Sequence, residues 1–216
     1  MDEAFSPGAV MPLPSDLPED AGPQARKSAL TRERIIKAAI QVLLEEGYAG
    51  ITTPRIAEKA GLSRGAMMHH FSNRLTVITG VIDYLHGRRL RAFRSMVESV
   101  TPGPDGARAV LDRYWEQVNH PYFIAFYELT VAARTDEGLR AVLQPRKDAF
   151  HKIWRQLAED LFPHWRRDRE RFDLALTLTQ NLMEGMAFNH MTGALSGDQA
   201  HRLIDHLEDT IRALRP

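Results

Sequence analysis

Cysteine is absent from the 216 residues. That absence excludes disulfide staples, thiolate nucleophiles and Cys-ligated metal together. Long apolar runs are lacking as well, and no stretch approaches the roughly 18–20 residues that span a bilayer. The first residues carry Asp2 and Glu3 instead of an apolar core, so no secretory leader is expected, and a cytoplasmic protein is the default reading. Alternating β-branched runs with hairpin turns are missing, which argues against strands. No segment repeats at a fixed period. The chain also lacks a G-x-S-x-G elbow, a G-x-x-x-x-G-K-[ST] loop, an H-E-x-x-H pair and paired E-x-x-H motifs, so it is not expected to be an enzyme. His69 and His70 are adjacent, about 100° apart around a helix. His201 and His206 are also off chelating spacing, and neither metal nor other cofactor is expected.

Net charge is zero too, but that zero conceals a division. Residues 1–25 carry five acids and no Lys or Arg. Residues 26–74 carry nine basic residues against Glu33, Glu45, Glu46 and Glu58, a balance of +5. The remaining 75–216 has 19 of each sign. A polyanion-binding surface therefore belongs in 26–74, unless those cations only solvate helices.

Residues 1–28 read as a flexible acidic tail, with Pro7, Pro12, Pro14, Pro18 and Pro23 and little periodicity. From Thr31 the pattern is helical. Ile35, Ala38, Ala39, Val42 and Leu43 make one apolar face, and Gly47 stops the helix, leaving Tyr48 to fold back on Leu43. Thr53 stands as N-cap before Pro54 of a short helix that ends at Gly61, and Ser63 caps a third helix closing around Phe71. A long helix reaches about Val100 before a loop at TPGPDG, residues 101–106. Pro121 starts another helix, Pro145 kinks or divides the next, and a last pair is separated at Ser196-Gly197. The expectation is an all-α chain of about nine helices in two unequal parts. Residues 29–75 would form a small three-helix module and 76–216 a larger helical domain.

In TTPRIAEKAGLSRGAMMHHF, residues 52–71, two short helices meet at a tight turn. Ile56, Leu62, Met67 and Phe71 can form their shared core, with Ala57 small at the crossing. This is a helix-turn-helix pattern, whose second helix enters the major groove of DNA. Arg64, Ala66, Met68, His69 and His70 are left outside the core. Gly65 lets backbone approach DNA, and the helix start attracts phosphate.

The stretch TRERIIKAAIQVLLEEGYAGITTPRIAEKAGLSRGAMMHHFSNR, about residues 31–75, resembles the DNA-binding domain of the tetracycline-repressor (TetR) family of bacterial regulators. The amphipathic helix, Gly-Tyr, Thr-Thr, Ile-Ala, Ala-Gly-Leu-Ser, Gly and His-Phe stand at the family's spacings. The resemblance implies a homodimeric, ligand-responsive repressor acting on double-stranded DNA. By position it assigns Thr53 and Arg55 to phosphate at the start of the second helix, and Arg64, Ala66 and His69 to bases. His70 and Arg74 fall at backbone-contacting positions, with Arg32 as an added contact. Met68 replaces the family's usual Tyr; it cannot donate a hydrogen bond but can pack on a thymine methyl.

Residues 105–195 are dense in large side chains, which suits an apolar effector pocket with a few polar anchors. Trp115, Phe123, Phe126, Tyr127, Trp154, Met183 and Met186 are the candidate lining, with Glu128 and Asn189 among the candidate anchors. A lipophilic small molecule is the expected effector. The run LALTLTQNLMEGMAFNHM is apolar on more than one face and asks for a second partner. Leu178, Leu182 and Gly185, with Leu203, Leu207 and Ile211 of the last helix, are the expected two-fold interface. One large monomeric bundle is the alternative for these helices. Alternatives for function are a DNA-binding regulator under protein control or none, and an all-helical enzyme.

Overall fold

The computed structural model describes residues 17–99 and 106–215. Residues 1–16 of the expected tail, and all of the expected loop except Gly106, lie outside the described residues. Among those described, every regular element is helical, as the periodicity predicts. Nine α-helices follow in order: α1 (Pro23–Gly50), α2 (Thr53–Lys59), α3 (Arg64–Met68), α4 (Arg74–Ser99), α5 (Ala107–Val118), α6 (Pro121–Ala132), α7 (Glu137–Leu161), α8 (Arg169–Met191) and α9 (Gly197–Leu214). A 3₁₀ turn at Pro163–Arg167 precedes α8.

The first helix starts at Pro23, inside the stretch that composition assigns to a tail. Proline at the first helical position has its φ preset and lacks an amide that would go unpaired there anyway. The expected apolar face is buried: Ile35, Ala38, Ala39, Val42 and Leu43 are all at most 4% exposed. The helix breaks at Gly47, where φ is 69° and ψ −176°, a conformation essentially restricted to glycine. A Cβ there would also stand 3.2 Å from Glu128 Oε1. The Tyr48 amide donates to Glu128 and the Tyr48 hydroxyl to Asp136.

The cap of α2 is Thr52 and not Thr53: the Thr52 hydroxyl accepts from the Arg55 amide, with Pro54 in the first turn. Ser63 caps α3 as expected, accepting from the Ala66 amide at 3.1 Å. Regular α3 ends at Met68, but the amide of Phe71 still donates to the Met67 carbonyl, so the chain closes around Phe71 through one further turn. Pro145 neither divides nor ends α7. Ala141, whose carbonyl Pro145 leaves without an amide, is exposed to solvent. Ser196 opens α9 with a reciprocal capping box to Gln199.

The described residues form two compact units, 17–88 with 124–150, and 89–99 and 106–123 with 151–215. In the first, Ile56, Met67, Val77, Ile78, Val81 and Ile82 are fully buried and Phe71 is 6% exposed. Gly80 lets α4 approach α1, since a Cβ there would meet Ile36 and Phe71 at 3.2 Å. In the second, α5, α8 and α9 pack on one another, and the 3₁₀ turn packs on α8.

Candidate nucleic-acid interface

Helix α3 turns Met67 fully inward and leaves Arg64, Gly65, Ala66, Met68 and His69 exposed together. The short helix reaches this arrangement because α2 supplies Ile56 and Ala57 beneath it, and Ala57 is only 3% exposed. Gly65 has open space where a Cβ would stand. The Arg64 side chain has no ion pair or hydrogen bond among the described residues, so its guanidinium remains available to a base edge. Met68 is 42% exposed, an apolar tip on a polar face.

The other cations expected to touch DNA are placed differently. Arg55 holds Glu46 at 2.6 Å and Glu58 at 2.9 Å in exposed ion pairs. Exposed pairs are worth at most about 1 kcal/mol, so phosphate can displace them. Thr53 and His70 are half-buried. Burial, with Arg32 and His69 nearby, pulls the His70 pKa down, which favours its neutral form. Two of these cations are engaged within the protein. Arg32 is only 4% exposed and donates to Ser28 Oγ at 2.8 Å, so it packs within its own helix bundle. Arg74 donates from Nε to the Ile51 carbonyl (2.6 Å), from one terminal nitrogen to the Tyr48 carbonyl (3.0 Å) and from the other to the Tyr48 hydroxyl (3.1 Å). Its guanidinium also lies 4.2 Å from the centre of the Tyr48 ring. Most of its donor capacity is thus spent on the α1–α2 turn.

Those contacts belong to a polar hub that the sequence did not announce. Asp136 accepts from the Tyr48 hydroxyl at 2.6 Å and from the Leu139 amide at 2.8 Å, the latter opening α7. These bonds hold the Asp136 carboxyl below its ordinary pKa and, with burial leading, push the Tyr48 phenol up. Glu128 of α6, expected to anchor an effector, instead accepts from the Tyr48 amide at 3.0 Å. A second polar contact in the same unit joins Asp83 to Arg146 at 2.8 Å. The other Asp83 oxygen is buried without a hydrogen-bond partner, and desolvation lifts the carboxyl to about 6 despite Arg146.

The second unit contains an apolar pocket. Phe93, Tyr114, Trp154, Phe162, Trp165 and Phe172 furnish aromatic wall, joined by His164 and, from α9, Ile211 and Arg215. Of the residues expected at an effector, Trp154 is in that wall. Trp115 lies instead beside His190, ring centres 5.8 Å apart, and Phe123 is buried under Arg89. Met183 and Met186 are buried in α8, whereas Asn189 is exposed near its end. Phe126 and Tyr127 fall in the first unit, where the Phe126 ring packs 4.8 Å from His86. Periodicity marks large apolar residues but not which of them flank a void, and nothing in PHWRR sets His164 apart.

Along α8, Leu174, Leu178, Leu182, Gly185 and Phe188 recur at helical spacing on one face, and Met191 follows at the end of the helix. Leu174, Phe188 and Met191 are exposed by 54%, 43% and 45%, and a Cβ on Gly185 would meet nothing within 4 Å. Leu203 and Ile211 are half-buried. Leu207, expected at the interface, is 1% exposed and already packed within its own unit.

The sequence comparisons agree with this geometry. The family described as bacterial regulatory proteins, tetR family, matches residues 35–77. The transcriptional regulator CymR of Pseudomonas putida is 27% identical over 177 residues, covering 69% of this chain and 87% of that protein. The transcriptional repressor AcnR of Corynebacterium diphtheriae is 23% identical over 191 residues, covering 87% and 95%. A crystal structure assigned to the TetR family, from Rhodococcus sp., superimposes with a TM-score of 0.64 at 26% identity, over 86% of this chain and 98% of that one. With a helix-turn-helix built as described and likeness running along most of its length, the chain carries a tetR-family DNA-binding domain and is similar to TetR-family transcriptional regulators.

Proposed function

We propose that this protein is a repressor that binds a near-palindromic operator as a homodimer and leaves it when a lipophilic small molecule enters the pocket of the second unit. The observation that carries the reading is the exposure pattern of α3: Met67 is fully buried while Arg64, Gly65, Ala66, Met68 and His69 stand out together. In this reading Arg64, Ala66 and His69 read base edges, and Gly65 allows close approach. Met68 packs on a thymine methyl, while Thr53, Arg55 and His70 meet phosphate. Arg32 and Arg74 act indirectly, by holding the module that presents α3. The apolar band on α8 supports a two-fold interface, and the aromatic pocket supports a lipophilic effector. AcnR is named a repressor, which supports that sign of regulation here.

The test is Arg64→Ala against a duplex selected by the wild-type protein. Affinity should fall by about 1–3 kcal/mol, with preference relaxed at one position of each half-site. Equal losses on the selected duplex and on a scrambled one would remove Arg64 from base reading.

A further inference from the structure

Arg55 stands in the first turn of α2, and two carboxylates of the same unit already hold it. Its Nε donates to Glu46 Oε1 at 2.6 Å, and a terminal nitrogen donates to Glu58 Oε2 at 2.9 Å. Both are lengths of charge-assisted hydrogen bonds. Glu46 lies on α1 immediately before the break at Gly47, whereas Glu58 stands one turn along α2. The guanidinium is therefore clasped from two separate elements. Lys59, at the other end of α2, is held in the same manner, its ammonium donating to the two oxygens of Glu45 at 2.8 and 2.7 Å.

Charge decides what an approaching duplex meets on this flank. Arg55 carries one positive charge between two negative ones, a net −1, and Lys59 is neutralised by Glu45. The excess of cations over residues 26–74 thus gives no net positive charge here. The clasp is nevertheless open to exchange, because the Arg55, Glu46 and Glu58 side chains are 40%, 32% and 69% exposed and solvated pairs hold weakly. A phosphate takes the guanidinium only by displacing both carboxylates, which then stand unpaired beside a polyanion.

Resting on the reading of Arg55 as a phosphate contact, we propose that Glu46 and Glu58 compete with the DNA backbone for its guanidinium and so set the affinity of the protein for DNA of any sequence. Phosphate contacts carry no sequence information, so this brake acts alike on an operator and on other duplexes. It is separate from the base-reading face of α3.

The test titrates full-length wild type, Glu46→Gln, Glu58→Gln, Arg55→Gln and the double variant Arg55→Gln/Glu46→Gln against the selected duplex and a scrambled one. Glutamine keeps the shape of glutamate and removes its charge. Glu46→Gln and Glu58→Gln should each bind both duplexes about two- to fivefold more tightly, the range that an exposed ion pair supports. Arg55→Gln should weaken both duplexes, and in that background Glu46→Gln should give no gain, since no guanidinium is left to release. Thermal melts establish that each variant is folded. A gain that persists without Arg55 would reflect only the loss of a negative charge near DNA and would overturn the competition. A gain confined to the selected duplex would overturn it as well. Unchanged binding by folded Glu46→Gln and Glu58→Gln, with Arg55→Gln weakened, would overturn the inference and leave Arg55 on phosphate. Wild-type binding by Arg55→Gln would instead remove the phosphate reading, and the inference with it.

Discussion

Arg64 and Arg74 are both basic residues of the helix-turn-helix segment, yet their guanidiniums meet different surroundings. Arg64 is exposed with no partner among the described residues, whereas Arg74 binds two carbonyls and a phenol across the α1–α2 turn. Arg74→Ala should therefore destabilise the protein by about 2–4 kcal/mol, because it leaves part-buried carbonyls unserved. Urea unfolding monitors this, and a variant as stable as wild type with uniformly weaker DNA binding would return Arg74 to the phosphate backbone. Asp83 gives a second residue-scale test. Its folded pKa, about 6, lies above the ordinary value of 3.8, so its stabilising contribution is complete below about pH 4 and is lost as pH rises through 6. The unfolding free energy of wild type minus that of Asp83→Asn should fall by about 2–3 kcal/mol between pH 4 and pH 7. A difference that is flat or rises would show that Arg146 outweighs desolvation. The sequence marks Arg64 through its place at the start of the recognition helix. It cannot show that Tyr48 and Ile51 lie within reach of Arg74, since that contact depends on how the turn folds back on α4.

At the scale of the helix, local chemistry was most legible where the signal is confined to a few residues. Ser63, Gly61 and the Pro54 start carried α2 and α3, and the 3.6-residue rhythm of Ile35 to Leu43 carried α1. The misplaced cap shows the limit of such signals. Thr52 and Thr53 are both plausible caps before Pro54, and the choice depends on which hydroxyl faces the Arg55 amide. Thr52→Ala should cost about 1 kcal/mol of stability, and Thr53→Ala appreciably less. Equal costs in chemical denaturation would mean the cap is shared. Pro145 stands inside α7 for a related reason: a helix tolerates proline where the residue whose carbonyl it abandons meets solvent, and exposure is not written in the local sequence.

For the whole molecule, the all-α class and the DNA-binding module were legible, while the pocket and the interface were legible only as tendencies. Aromatic density in 105–195 pointed to a cavity, but only Trp154 of the expected residues lines the one described in the second unit. Burial decides the rest: Leu207 has the spacing of an interface residue and is spent on its own unit, whereas Leu174, Phe188 and Met191 remain exposed along α8. The proposed regulator reads DNA with two copies of α3, and a two-fold protein demands a two-fold site. The most direct measurement is selection of duplexes from a random library by the full-length protein, followed by sedimentation of the selected complex. Selection should recover an inverted repeat bound by two chains; asymmetric or single half-sites bound by one chain would rule out two-fold reading.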